Sequence, residues 1–166
     1  MVLVADLPEL LREQAAWLSR EQAPDEALAI AASRRRILGI GGGAVLKPVG
    51  RVWRLGVVLL DRESRLYATG AVTRAAEQRQ HGYTSTSAAE RSAVRALAAD
   101  SFRPGEVVNY DAELLSVVPD GGGVLGPLRV ESDGLVVVQW TRNGSYVDFG
   151  DYLKERSRLL VGETDV

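Results

Sequence analysis

Residues 51–72, RVWRLGVVLLDRESRLYATGAV, constrain the fold of this chain more than any other stretch. An apolar run (Trp53, Leu55, Val57, Val58, Leu59, Leu60) is followed by a charged segment from Asp61 to Arg65, and apolar residues resume at Leu66. That pattern predicts a β-hairpin whose first strand is buried. Along that strand Trp53, Leu55, Val57 and Leu59 share one face, while Val58 and Leu60 occupy the other beside Arg54 and Gly56. Apolar side chains on both faces place a strand centrally in a sheet. In the second strand, Leu66 to Thr73, the small residues Ala68, Gly70 and Ala71 leave room for a close approach by another segment.

Other elements arrange themselves around this hairpin. Asp6 is positioned to cap a helix with Pro8 and Glu9 in its first turn and Leu7, Leu10, Leu11, Gln14 and Leu18 on one face. A second helix is expected from Pro24, with Asp25 and Glu26 in its first turn and Leu28 and Ile30 beyond, ended by the glycines from Gly39 to Gly43. Ala44 to Val49 reads as a strand interrupted by Pro48. Ser87 and Glu90 have capping-box spacing, which predicts a helix from Ala88 to Asp100 with Ala89, Ala93, Val94, Leu97 and Ala98 inward. Arg103-Pro104-Gly105 forces a turn before a strand from Val107 to Asp111, which Leu114 to Val118 continues past an irregularity. Asp133-Gly134 marks a second hairpin, and Asp148 or Asp151 caps a final helix.

The expected order is ααβββαβββα, with no repeated βαβ spacing and no glycine fingerprint after a strand. The reading is a single α+β domain over residues 1–166, with a helical N-terminal segment (1–38) and a sheet-containing core (44–160). Its mainly antiparallel sheet would hold five to six strands, with helices packed on it.

At 166 residues, 46% hydrophobic and 25% charged, the chain is long enough to bury a core of its own. A formal charge of -2 argues against nucleic-acid binding. The chain has no cysteine, so disulfides, thiolate nucleophiles and cysteine metal sites are excluded together, and the lone His81 makes a His-based metal site untenable. The N-terminus lacks a signal peptide's basic region, and no apolar stretch reaches membrane-spanning length. The expectation is a cytoplasmic chain with no membrane partner, no metal and no cofactor.

The best functional stretch is His81-Gly82-Tyr83-Thr84-Ser85-Thr86-Ser87, which gathers the only His, a Gly, a Tyr and four Ser/Thr hydroxyls just before a helix. Together with Arg74, Arg79 and Arg91 it suggests a site for a small anion, held by amides at a helix start and by guanidinium groups. The expected ligand contacts are Arg74, His81, Tyr83, Thr84, Ser85, Ser87 and Arg91. The plainer reading has Ser87 capping the helix and the remaining hydroxyls satisfying the loop backbone. Gly39 to Gly43 with Arg34 to Arg36 lacks the Lys-Ser/Thr of a phosphate loop and reads as a linker. The pairs Asp111/Glu113 and Asp148/Asp151 supply too few oxygens for a hard metal. Trp53 and Trp140 are expected in the core.

Val49, Arg51, Trp53, Arg54, Leu55 and Gly56, then Thr69-Gly70, then Gly82, Tyr83, Thr84, Ser87, Glu90 and Arg91 form a spaced pattern. This pattern resembles a group of short uncharacterised actinobacterial proteins, some of which carry the label glutaminase. The resemblance covers residues 34–160 and implies a shared shape. It transfers no catalytic residue, because the S-x-x-K motif of serine-dependent glutaminases and the cysteine of the amidotransferase type are both missing.

Two functions follow from these residues. The first is a non-enzymatic module that binds a partner or a small anionic ligand, with a homodimer among its expected states. The alternative is a small hydrolase or amidase in which His81 activates Thr84 or Ser85.

Overall fold

The computed structural model describes residues 1–33, 43–76, 86–116, 124–141 and 143–162. The chain is α+β, with helices packed on mainly antiparallel strands. Its contacts group into two compact units, each assembled from separate stretches of chain.

The first unit comprises Met1–Asp25, Val52–Thr69 and Glu113–Val166. Helix α1 (Leu7–Arg20) buries Leu7, Leu11, Gln14, Ala15 and Leu18, the stripe that its spacing predicts with Leu10 at the margin. Asp6 stands at the cap position, yet its side chain makes no capping bond.

The apolar run of residues 53–60 is not one strand but two. Strand β2 (Ala44–Leu55) ends at a tight turn on Gly56, and β3 (Val58–Asp61) returns beside it, pairing Leu55 with Val58 and Trp53 with Leu60. Gly56 has φ +69°, a conformation that glycine enters without penalty. Two adjacent buried strands joined by one glycine leave the same hydrophobic signature as one longer strand. The charged segment from Asp61 to Arg65 makes the next turn, as expected, and β4 (Leu66–Ala68) pairs with β3.

The core of this unit gathers Leu18, Trp53, Leu55, Leu60, Leu128, Val136, Phe149 and Leu153. A four-stranded sheet of order β11-β10-β9-β8 contributes to it; its members, with the edge strand β7 (Glu113–Leu114) named in chain order before them, are β8 (Val124–Leu125), β9 (Leu128–Val130), β10 (Val136–Val138) and β11 (Val147–Asp148). Helix α3 (Phe149–Val161) is capped by Asp148, whose Oδ1 accepts from the Asp151 amide at 2.9 Å. Trp53 is buried and its indole N–H donates to the Ala23 carbonyl at 3.2 Å. Trp140, expected in the core, falls past the end of β10 and is 47% exposed, lying against the Arg156 guanidinium.

The second unit comprises Glu26–Arg51 and Gly70–Ala112. Its first element overturns the expected second helix: residues Glu26–Ser33 form strand β1, parallel to β6 (Val107–Tyr110). The alanine-rich sequence EALAIAAS favours a helix locally, but strand pairing and burial of Ala27, Leu28 and Ala29 override that preference. The helical N-terminal segment therefore ends at Arg20 among the described residues. Strand β5 (Ala71–Arg74) pairs antiparallel with β6 and forms the sheet edge.

Helix α2 (Thr86–Ala99) packs on this unit through Val94, Leu97 and Ala98, with Ala75 and Val108 beneath. Ala89 and Ala93, expected inward, are exposed. A valine and a leucine bury more apolar surface than two alanines, and that sets the helix rotation.

Candidate functional site

The residues that gather around an open cleft in the second unit come from β5, β6 and α2. Val72, Thr73 and Arg74 supply the edge strand, Val107 and Tyr110 its neighbour, and Glu90, Arg91, Val94 and Arg95 the helix. The cleft holds about 530 Å³, in the range of pockets that take small organic ligands.

Local sequence explains the placement. Strand β5 can begin at Ala71 only because Gly70 has no side chain: a Cβ there would stand 2.1 Å from the Asp111 carbonyl oxygen and 2.5 Å from that of Tyr110. The small residues of this stretch thus admit a close approach, made by the end of β6. Arg74 lies opposite Val107 in the register, and its Nη1 donates to the Gly105 carbonyl at 2.8 Å. Gly105, at φ +82°, turns the chain within Arg103-Pro104-Gly105 as expected. Glu106 next to it binds the Arg51 guanidinium and accepts from the Arg103 amide at 3.1 Å. Burial pushes the Glu106 carboxyl upward, but the bonds and charges of Arg51 and Arg103 prevail and hold it below the usual glutamate value.

On α2, Arg91 and Arg95 are four residues apart and therefore neighbours on one face. Among the described residues neither forms an ion pair, so two guanidinium groups with free donors face the cleft from the helix and Arg74 adds a third from the strand. Among the described residues Glu90 is the single carboxylate in the lining, against three arginines, so their summed charge is positive on a chain of net charge -2.

Of the residues singled out from sequence, the structure brings Arg74 and Arg91 together in this cleft. Helix α2 is already helical at Thr86, so Ser87 stands inside the first turn instead of at the cap, and it does not line the cleft. His81, Tyr83, Thr84 and Ser85 lie outside the described residues, as do Arg79, Arg34 to Arg36 and the glycines at positions 39–42 and 121–123. Arg95 and Tyr110 went unrecognised in the sequence. The i,i+4 spacing of Arg91 and Arg95 was the available signal for one; nothing local marked Tyr110, whose position depends on strand pairing.

Among the described residues no group of three or more His, Asp or Glu is placed to hold a metal ion, and no helix is long and apolar enough to cross a membrane. No family model, no curated protein and no solved structure matches the chain.

Proposed function

We propose that this chain is a binding module whose α2–β5 cleft takes a small organic polyanion carrying carboxylate or phosphate groups. The observation that carries this reading is the convergence of Arg74, Arg91 and Arg95 on one cleft of about 530 Å³. Guanidinium forks match carboxylate and phosphate oxygens in pairs, and such charge-assisted bonds are the strong class of hydrogen bond. Val72, Val94 and Val107 add apolar wall, which suits an anion with a carbon skeleton better than a bare inorganic ion. Like charges one helical turn apart cost about 0.2–0.5 kcal/mol in an isolated helix, a cost that a bound anion removes. The spaced pattern that resembles the actinobacterial group has Glu90 and Arg91 as its last members, both in the cleft lining. The cytoplasm is the compartment this reading assigns, as suits a cysteine-free chain.

Isothermal titration calorimetry with citrate and with a sugar phosphate tests it. The expected result is saturable binding weakened at least tenfold, about 1.4 kcal/mol, in an Arg91→Gln/Arg95→Gln variant. Equal affinity in the variant and the parent would sink the proposal.

A further inference from the structure

A second polar cavity lies in the first unit, between α1 and α3, with no share in the α2–β5 cleft. It is lined by Gln14, Trp17, Lys154 and Arg158 and holds about 300 Å³. Each of these side chains can donate hydrogen bonds, two carry full positive charges, and among the described residues no carboxylate lines the cavity.

Gln14 is the informative member. It sits in the inward stripe of α1, only 8% exposed among leucines and alanine, where an apolar residue would ordinarily stand. Among the described residues its amide makes no hydrogen bond. The rest of the side chain is buried, so the amide is held at the cavity wall, where it meets solvent. The side chain lines the cavity, so its amide can donate to a guest that takes the place of water there.

The surroundings define that guest. Lys154 and Arg158 are four residues apart on α3, and among the described residues neither has an ion-pair partner. Trp17 is half-buried against the core, and among the described residues its indole N–H has no acceptor. Arg158 stands in the last turn of α3, where the helix carries a partial negative charge of about half a unit. Two full cationic charges exceed it, leaving the cavity net positive. Four donors and no charged acceptor fit a compact oxyanion with acceptors on every side.

We infer that the α1–α3 cavity is a binding site for a phosphate-class oxyanion, held by Lys154 and Arg158 and oriented by the Gln14 amide and the Trp17 indole. The site is smaller and more polar than the α2–β5 cleft, and it selects a compact inorganic ion or the terminal phosphate of a larger molecule.

Calorimetric titration of inorganic phosphate tests this inference, with sulfate and chloride as comparisons at constant ionic strength. The full chain is used in an Arg91→Gln/Arg95→Gln background, so that binding at the α2–β5 cleft is weakened and the Lys154/Arg158 dependence reports the α1–α3 cavity. One saturable site is expected, weakened at least tenfold by Lys154→Gln/Arg158→Gln. Both positions are exposed, so the fold should survive, and unchanged far-ultraviolet dichroism checks that it does. Methyl phosphate in place of inorganic phosphate separates the two sources of ligand: equal affinity identifies a terminal phosphate, and loss of affinity identifies the free ion. No saturable heat at 10 mM phosphate, or the same affinity after both α3 substitutions, overturns the inference, whatever the outcome at the α2–β5 cleft.

Discussion

The Tyr152 hydroxyl fills the space that a side chain on Gly56 would need. Its oxygen accepts from the Val57 amide at 3.0 Å and donates to the Leu55 carbonyl at 3.3 Å, closing the β2–β3 turn from α3. A Cβ on Gly56 would come within 2.0 Å of that oxygen. Gly56→Ala combines this clash with a positive φ and should lower the unfolding free energy by about 2–4 kcal/mol in urea titrations. Tyr152→Phe should cost about 1–2 kcal/mol, by stranding the Val57 amide. Combined, the two should cost less than their sum, because phenylalanine removes the clashing oxygen. Strict additivity would show that the contact does not govern the turn.

Ser157 offers the opposite case. It is fully buried on α3 and its hydroxyl has no partner. Ser157→Ala removes an unsatisfied polar group and adds a better helix former, so stability should rise by about 1 kcal/mol. A loss on thermal unfolding would mean that the hydroxyl is satisfied in solution.

Asp61, 2% exposed, holds its turn by accepting from the Arg65 amide at 2.8 Å, from Arg65 Nε at 2.6 Å and from the Tyr67 hydroxyl at 3.1 Å. Burial, followed by the charge and hydrogen bond of Asp61, pushes the Tyr67 phenol above its ordinary value of 10.0. A raised folded value means stability is fully present below about pH 10 and lost as pH rises through the folded value. Denaturation curves should therefore show an alkaline loss that Tyr67→Phe abolishes. Asp61→Ala should cost about 2–3 kcal/mol at neutral pH, since it strands several donors together.

The depressed Glu106 carboxyl makes the complementary forecast on the acid side. Its contribution is present above the ordinary glutamate value of 4.5 and is lost as pH falls through the lower folded value. Glu106→Gln should flatten the pH dependence of unfolding in that window, and Arg51→Gln should do so in part. Because the pair is partly exposed, each effect should stay below about 1 kcal/mol.

In the α2–β5 cleft the two arginines of α2 should trade stability against binding. Without ligand, Arg95→Gln should leave thermal stability unchanged or raise it by a few tenths of a kcal/mol. With saturating citrate the parent should gain about 2.7 kcal/mol at a hundredfold excess over Kd, and the variant much less. The measurement is the ligand-induced shift in melting temperature, compared at 50 and 300 mM salt, where screening should shrink the gain.

Sequence alone determined those elements whose signals are local. Helix α1 follows from its leucine spacing, the Asp133-Gly134 hairpin from its turn residues, and the start of α3 from its pair of cap candidates, Asp148 and Asp151, between which the structure chose Asp148. The α+β class followed from the same short-range periodicities. Tertiary structure decided the rest. Glu26–Ser33 became a strand because β6 was there to pair with it, and an alanine-rich octapeptide carries no trace of a partner about 80 residues away. The apolar run of residues 53–60 became two strands because Tyr152, from the far end of the chain, closes the turn at Gly56. The cleft followed the same division. Arg74 and Arg91 were legible as basic residues flanking a helix start, but Arg95 and Tyr110 joined them only through the rotation of α2 and the register of β5 on β6. Side-chain chemistry is written locally, whereas proximity is set by pairing and burial between segments far apart in the chain.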